Sequence, residues 1–221
     1  MFCHLVQLLK VNRLESEIKT LNLQNNSDSC FHNRIKRVIH LLISQYCLLK
    51  SIFITSGEKE SGKTTFLIDI ISLLQMNGFV AGGFVALHDI ESDCYQIKDV
   101  KTNEASPLMQ RVASFEKHPH HFKFFPEGVE MGNSCIKELL IHHPDIAVVD
   151  EIGGFELRGK LWSSSFTQLI DSSIPLIFSV KDRLLDKVLS KWNIEPTHVF
   201  SSADFSESDK AFKRIESSLR E

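Results

Sequence analysis

One nine-residue motif restricts the possible folds of this sequence more than any other feature. The motif consists of Gly57, Glu58, Lys59, Glu60, Ser61, Gly62, Lys63, Thr64 and Thr65. It fits the pattern of Gly, four free positions and Gly-Lys-Ser/Thr that joins a strand to a helix. Residues 51–55 before it are largely apolar and β-branched, and the apolar residues of 66–74 after it recur at helical spacing. The sequence therefore predicts a strand, a phosphate-binding turn and a helix in an α/β fold.

The chemistry of this turn follows from its backbone. Gly57 and Gly62 allow consecutive N–H groups to point inward, and the helix that begins near Lys63 adds its positive end at the same place. A cation in the first turn of a helix is unfavourable unless an anion lies beside it, so Lys63 indicates a β- or γ-phosphate. We expect the motif to bind the phosphates of a nucleotide, with Glu58 and Glu60 facing solvent. The alternative is a chance Gly/Ser-rich turn.

A second motif lies near residue 150. Residues 146–149 are Ile-Ala-Val-Val, and Asp150 and Glu151 follow them. Ligands of open α/β sheets bind at the carboxyl ends of the strands, where these two acids are expected to lie. We predict that Thr64 and Asp150 hold Mg²⁺, Asp150 through a water molecule, and that Glu151 orients or deprotonates the attacking water. Taken alone, the two acids are also consistent with a helix-capping turn.

The rest of the chain alternates between predicted strands and helices, which is typical of a mostly parallel sheet with helices on both faces. The further predicted strands are residues 79–87, 122–125, 174–180 and 197–200, and the further predicted helices are residues 136–141, 161–171, 184–192 and a closing helix after 201. Residues 94–104 alternate and contain a turn, which favours a small antiparallel excursion. Gly82 and Gly83 indicate a bulge or a close backbone approach within the strand 79–87.

The chain divides into a predicted N-terminal helical extension, residues 1–48, and a main domain, residues 49–221. Two apolar stripes at helical spacing lie in the extension, and the second is flanked by Arg34, Lys36 and Arg37. A helix packed on the main domain with a solvated basic edge is the simpler interpretation. A surface for an anionic membrane or a protein partner is the alternative.

Composition limits the class of protein further. The formal net charge of -3 gives no overall basic field, so the sequence has no clear nucleic-acid site. The five cysteines are odd in number and contain no C-x-x-C pair, which favours a cytoplasmic protein over a disulfide or zinc framework. No apolar run approaches the ~20 residues needed to span a bilayer. The histidines within residues 117–121 lack the spacing of a metal site, so a polar loop is favoured there.

Together these motifs resemble a known family. The segments that carry the resemblance are Gly57–Thr65, Gly82-Gly83-Phe84 and Asp150–Leu157, whose Asp-Glu-Ile-Gly-x-x-Glu-Leu pattern is the most specific. They resemble the P-loop nucleoside-triphosphatases first described from thermophiles, a family that includes the human cancer-related nucleoside-triphosphatase. The resemblance covers about residues 50–200. It implies a three-layer RecA-like P-loop NTPase fold with a mostly parallel sheet. The helices predicted for the N-terminal extension have no counterpart in this resemblance and add to that fold.

The resemblance also implies an activity. ATP or a mixture of nucleoside triphosphates would be hydrolysed slowly to diphosphate and phosphate. The catalytic Glu of the family would correspond to Glu151, its magnesium-linked Asp to Asp150, and its phosphate-loop Lys and Thr to Lys63 and Thr64, so that Lys63 is catalytic as well as phosphate-binding. This sequence has Glu60 where the family often has Gly. It also lacks the family's usual Arg before the hairpin.

Hydrolysis requires positive charge on the γ-phosphoryl oxygens as they separate. Arg183, Lys181 and Arg111 are the candidate sources in this sequence, and a solvated surface position is the alternative for each. We therefore predict a Mg²⁺-dependent nucleoside-triphosphatase that uses ATP most readily. The alternative function is a nucleotide-dependent switch or binding module with little turnover, whose output surface is the N-terminal extension.

Overall fold

The structure of this chain, a computed structural model, describes residues 50–112 and 121–220. The predictions for the extension 1–48, including a partner surface, and for the histidine segment 117–120 lie outside these residues. Within the described residues no helix has the length and apolar character needed to cross a membrane.

The described residues form an α/β domain. Its strands are β1 (Ile52–Gly57), β2 (Ala81–Asp89), β3 (Cys94–Asp99), β4 (Ala105–Val112), β5 (His121–Phe124), β6 (Ile146–Val149), β7 (Leu176–Lys181) and β8 (His198–Phe200). Its helices are α1 (Lys63–Met76), α2 (Pro126–His142), α3 (Gly154–Leu157), α4 (Ser163–Asp171), α5 (Leu185–Trp192) and α6 (Ser208–Leu219). Two 3₁₀ segments, Asp182–Leu184 and Ser202–Asp204, follow β7 and β8.

The strands form one sheet in the order β5-β4-β3-β2-β6-β7-β1-β8. The pairs β2–β6, β6–β7, β7–β1 and β1–β8 are parallel. The strands β3, β4 and β5 extend the sheet beyond β2 as an antiparallel meander. The sheet is therefore mostly parallel, as predicted, with an antiparallel excursion that is larger than the sequence indicated.

Helices cover both faces of the sheet, and each face has its own apolar core. On one face α1 and α6 pack against strand residues that include Phe53 and Val148. On the other face α2, α4 and α5 pack against strand residues that include Ile54 and Val149. Neighbouring residues of one strand enter opposite cores because side chains alternate along a strand. This three-layer arrangement buries the parallel strands on both sides.

The hairpin formed by β2 and β3 projects beyond the parallel part of the sheet. β2 pairs with β6 from Ala81 to Phe84, whereas it pairs with β3 from Phe84 to Asp89. The second half of β2 therefore continues past the carboxyl edge of the parallel strands. This hairpin lies beside the edge at which the two sequence motifs end.

Three segments differ from the sequence expectations. Residues 105–112 form β4, where the sequence predicts no strand. Helix α2 begins at Pro126, well before the predicted start at residue 136. Residues 154–157 form the short helix α3, where the sequence analysis predicts no helix.

Gly83 allows β2 and β6 to approach each other closely, as the Gly82-Gly83 pair indicated. Its φ is +115°, and a β-carbon placed on it would lie 2.0 Å from the carbonyl oxygen of Val148. We expect Gly83→Ala to lower the free energy of unfolding by at least about 3 kcal/mol, because strain and overlap add. The measurement is urea denaturation.

Gly78 provides the matched control for this substitution. It also has a positive φ, +84°, but a β-carbon there would meet nothing within 4 Å. Gly78→Ala should therefore cost only the left-handed strain of about 1–2 kcal/mol. Equal losses in the two variants would contradict the importance of the Val148 contact.

Candidate functional site

The parallel strands bring their carboxyl ends to one edge of the sheet. β6 is followed by Asp150, β7 ends at Lys181, β1 ends at Gly57 and β8 is followed by Ser201. Gly57 is the register partner of Lys181 on the neighbouring strand. The two predicted motifs therefore meet at this edge.

The phosphate-loop motif forms a turn between β1 and α1. Gly62 caps the amino end of α1 with a φ of +95°. The Lys63 side chain is buried, with 6% exposure, and its Nζ donates to the carbonyl oxygens of Gly57 at 3.0 Å and Glu58 at 2.7 Å. The ammonium group thus lies folded across the turn, where the phosphates of a nucleotide are expected.

The acidic residues of the turn face solvent, as expected. Glu58 and Glu60 are exposed, and the Glu60 carboxylate forms an ion pair of 2.7 Å with Lys59. The hydrogen bond and charge of Lys59 lower the pKa of Glu60. The backbone of Glu60 has a φ of 62°, in the left-handed region that favours glycine. A glycine would adopt this conformation without the strain that a side chain adds.

Asp150 is joined directly to the phosphate-loop helix. The Thr64 hydroxyl donates to Asp150 Oδ2 at 2.7 Å, and the Ala86 N–H donates to the same oxygen at 3.2 Å. The Ser179 hydroxyl donates to Oδ1. Burial raises the pKa of Asp150, which is 2% exposed, while the bonds from Ser179 and Thr64 oppose the rise. Three elements besides its own therefore fix the orientation of this carboxylate.

The donor set around Thr64 and Asp150 fits a magnesium ion. A hydroxyl and a carboxylate are the hard oxygen ligands that Mg²⁺ prefers, and Mg²⁺ takes its remaining ligands from water and substrate phosphates. Within residues 50–112 and 121–220, no group of three His, Cys, Asp or Glu side chains is placed to hold a metal. A site completed by phosphate oxygens is consistent with this sparse protein contribution.

Glu151 lies beside the same edge and contacts a cation. Its Oε1 is 2.8 Å from Lys181 Nζ, and the two side chains are 26% and 29% exposed. This ion pair links the carboxyl ends of β6 and β7 within reach of Gly57, the register partner of Lys181. Both charged groups are therefore partly accessible to solvent.

The candidate cations occupy different places. Arg111 on β4 lies 3.5 Å from Asp93 and over the ring of Phe122, at 5.8 Å from its centroid. Arg183 is exposed in the 3₁₀ segment after β7. Of the three candidates, Lys181 is the one that contacts a predicted catalytic residue.

Sequence reasoning missed the role of Glu156, a buried carboxyl group near Glu151. Its Oε2 accepts the Gly153 N–H at 2.8 Å. A β-carbon on Gly153 would lie 3.2 Å from Glu151 Oε1 and 3.7 Å from Glu156 Oε2, so the two carboxyl groups flank this residue. Burial raises the pKa of Glu156 to about 7, the Glu151 charge adds to the rise, and Lys181 opposes it.

This raised pKa predicts a pH dependence of stability. Between about pH 4.5 and pH 7, Glu156 keeps its proton in the folded chain. In the unfolded chain, where its pKa is the ordinary 4.5, it has lost that proton. The resulting stabilisation is complete below about pH 4.5 and is lost as the pH rises to about 7. Glu156→Gln stays neutral and keeps an oxygen for the Gly153 N–H. Between about pH 5 and 8, we expect wild type to lose up to about 3 kcal/mol of unfolding free energy relative to the variant.

Urea denaturation at several pH values measures this difference. Glu130→Gln, at an exposed position of α2, is the control and should follow the wild-type pH dependence. If Glu156→Gln also ran parallel to wild type across this range, the raised pKa would be wrong.

Ser179 is the second residue that sequence reasoning missed. The signal was a hydroxyl within the otherwise apolar run Leu176–Val180, which is buried throughout. A buried polar side chain requires a partner, and here the partner is Asp150. The contact of the Ala86 N–H with Asp150 could not be predicted from the sequence, because a main-chain donor is present whatever the side chain is.

Comparisons with known proteins identify the family of this chain. The profile of a family described as NTPase matches residues 51–215. The nucleoside-triphosphatase THEP1 of Methanocaldococcus jannaschii is 27% identical over 144 residues, which cover 63% of this chain and 83% of that protein. The nucleoside-triphosphatase THEP1 of Methanopyrus kandleri is 24% identical over 133 residues, which cover 59% of this chain and 73% of that protein.

A solved structure supports the fold independently. The crystal structure of THEP1 from the hyperthermophile Aquifex aeolicus matches with a TM-score of 0.59 and 17% sequence identity. The match covers 77% of this chain and 99% of that one. It confirms the predicted P-loop NTPase architecture.

Proposed function

This chain belongs to the NTPase family, whose profile spans residues 51–215, and from that premise we propose that it hydrolyses nucleoside triphosphates, ATP foremost, with Mg²⁺. The products are the nucleoside diphosphate and phosphate. One observation carries the proposal: the 2.7 Å hydrogen bond from Thr64 to Asp150 joins the phosphate loop to the acidic strand end. This bond supports the proposal because phosphoryl transfer requires the phosphate-binding turn and the metal-linked acid to lie side by side.

The phosphate loop supplies binding. Its backbone N–H groups and the amino end of α1 attract the phosphates, and the Lys63 ammonium can exchange its two carbonyl partners for phosphate oxygens. Thr64 and Asp150 are the proposed magnesium-binding residues. Held by these two side chains, Mg²⁺ would supply positive charge against the negative charge that develops on the phosphoryl oxygens.

Glu151 supplies the proposed base. It follows Asp150 at the carboxyl end of β6 and is partly exposed, so its carboxylate can orient a water molecule for attack on the γ-phosphorus. The water proton passes to Glu151, and the bond between the γ-phosphorus and the bridging oxygen breaks. The diphosphate leaves with the electron pair.

Lys181 is the residue of this chain that we propose supplies positive charge to the γ-phosphoryl oxygens during hydrolysis. Its ammonium contacts Glu151 at 2.8 Å and lies beside the end of β1. We expect Lys181→Ala to lower kcat by about 100-fold or more, because the γ-phosphoryl oxygens lose a neighbouring cation in the transition state. Nucleotide affinity should change by no more than several-fold. Phosphate release and equilibrium binding measure the two effects.

Lys187→Ala, at an exposed lysine of α5, is the matched control and should retain wild-type turnover. An unchanged kcat in Lys181→Ala would place the stabilising charge elsewhere and make Arg111 the next candidate.

Phosphate release tests the proposed function as a whole. The full chain is incubated with ATP, GTP, CTP or UTP in the presence of Mg²⁺ or EDTA. We expect release from each triphosphate, fastest from ATP, and none with EDTA. Thr64→Val should raise the Mg²⁺ concentration for half-maximal rate about 10-fold or more, whereas Thr64→Ser keeps the hydroxyl and should stay close to wild type. Nucleotide binding without any release would overturn hydrolysis and favour the nucleotide-dependent switch.

A further inference from the structure

The order of strands sets a direction for a bound nucleotide. Along the carboxyl edge, β6 and β7 lie on one side of β1, and β8 lies on the other. With Mg²⁺ held by Thr64 and Asp150, as proposed above, the terminal phosphates would point toward β6 and β7. The nucleoside must then leave the phosphate loop toward β8. Three strand spacings of about 4.8 Å place the end of β8 about 14 Å from the end of β6.

An aromatic side chain lies at the β8 end of this path. β8 pairs in parallel with β1, with Phe200 opposite Thr55, so the segment after Phe200 emerges beside the phosphate loop. This segment contains the 3₁₀ turn Ser202–Asp204 and then Phe205. The Phe205 ring is half-buried and is stacked on Phe66 of α1, with centroids 4.9 Å apart and an interplanar angle of 26°.

The Phe205 ring also lies against the phosphate loop itself. A β-carbon on Gly57 would be 3.5 Å from Phe205 Cε2, and a β-carbon on Gly62 would be 3.8 Å from Phe205 Cδ2. The ring therefore borders the loop at both of its glycines. Its contact with Phe66 fixes its plane before any ligand binds, which lowers the entropic cost of stacking a ligand on it.

The 3₁₀ turn that carries Phe205 is itself held in place. The Asp204 carboxylate accepts the Ser201 N–H at 2.7 Å and the Ser201 hydroxyl at 3.0 Å. These bonds lower the pKa of Asp204 and keep it ionised. A fixed negative charge beside the ring disfavours phosphate there and leaves the surface suited to an uncharged, flat group.

We propose that the half-buried ring of Phe205 is the platform on which the nucleobase of the substrate stacks. This inference rests on the proposed nucleoside-triphosphatase function and adds a site for the base. Every base has an aromatic face, so the platform accepts all four bases. Purines have the larger face and bind more tightly than pyrimidines.

The test compares ligands with and without a nucleoside. Binding of ADP and of inorganic pyrophosphate, each with Mg²⁺, is measured calorimetrically for wild type, Phe205→Leu and Phe205→Tyr. Leu keeps an apolar contact with Phe66 but has no aromatic face, whereas Tyr keeps the ring. We expect Phe205→Leu to weaken ADP binding about 10-fold and pyrophosphate binding less than about 2-fold. Phe205→Tyr should bind ADP within about 3-fold of wild type.

Each outcome decides between distinct explanations. Equal weakening of ADP and pyrophosphate in Phe205→Leu would show that the ring only shapes the phosphate loop, and would overturn the platform. Unchanged ADP binding in a folded Phe205→Leu protein would overturn it as well, with the nucleoside-triphosphatase proposal intact. Wild type that binds neither ligand would instead remove the proposed function. A preference for ADP over CDP that disappears in Phe205→Leu would support stacking.

Discussion

Glu151→Gln is expected to bind nucleotide and to lose turnover. The amide is similar in size to the carboxylate but cannot accept the proton of the attacking water, and general-base catalysis typically contributes about 10²–10⁴-fold to the rate. Binding should persist because Thr64, Asp150 and Lys63 keep their contacts. Single-turnover phosphate release from ATP, together with equilibrium binding of ATP to the same protein, measures both quantities.

The ion pair with Lys181 makes this substitution informative in a second way. Gln cannot pair electrostatically with Lys181, so the freed ammonium is expected to turn toward the γ-phosphate and to preserve or slightly increase ATP affinity. Glu130→Gln, in the exposed part of α2, should leave both turnover and binding unchanged. Equal turnover in wild type and Glu151→Gln would exclude Glu151 as the base and leave a nucleotide-binding module.

Lys63→Ala is expected to lose nucleotide binding. The variant removes the one buried cation of the phosphate loop, and charged hydrogen bonds to two phosphates correspond to a loss of about 10²-fold or more in affinity. Phosphate release should fall with it at any practical ATP concentration. Equilibrium binding of Mg²⁺–ATP and of Mg²⁺–ADP measures the loss.

The contacts of Lys63 require a stability measurement beside the binding measurement. Its Nζ also holds the carbonyl groups of Gly57 and Glu58, so Lys63→Ala changes the loop as well as the charge. Thermal unfolding of the variant identifies any collapse of the domain. Lys137→Ala, at an exposed lysine of α2, is the control for loss of one positive charge. A folded Lys63→Ala protein with wild-type affinity would contradict the assignment of the phosphate site.

The sequence predicted the parts of this site that depend on local spacing. The glycines and the Lys63–Thr64 pair specify a turn within nine residues, and the apolar run before Asp150 specifies a strand end. The adjacency of Thr64 and Asp150 then follows from the rule that parallel strands present their carboxyl ends at one edge. The structure brings these two side chains within 2.7 Å. Their roles in catalysis and metal binding stay predictions.

The parts that sequence could not predict depend on contacts between distant segments. β4 contains Pro107, which lowers the strand propensity of its run. The pairing of β4 with β3 shifts between Tyr95 and Gln96, which oppose Met109 and Pro107, so Leu108 is an extra residue in the ladder. Such a bulge accommodates the proline but leaves no periodic signal. The strand exists because β3 and β5 flank it.

The raised pKa of Glu156 was equally inaccessible. An acid three residues after Gly153 reads as a helix-capping residue, and the structure does show the Gly153 N–H bound to it. Its burial results from the packing around α3, which no local pattern specifies. The capping contact of this carboxyl group is therefore predictable from spacing, whereas its raised pKa is not.

The hydrogen bond from the Ala86 N–H to Asp150 has a consequence for how this protein tolerates mutation. Because the donor belongs to the main chain, almost any residue at position 86 supplies it, and proline is the exception. The hairpin can therefore diverge in sequence between relatives while it continues to aim the acid. We expect substitutions that bend the hairpin backbone to change the orientation of Asp150. Substitutions that change only the exposed side chains of the hairpin should leave that orientation unchanged.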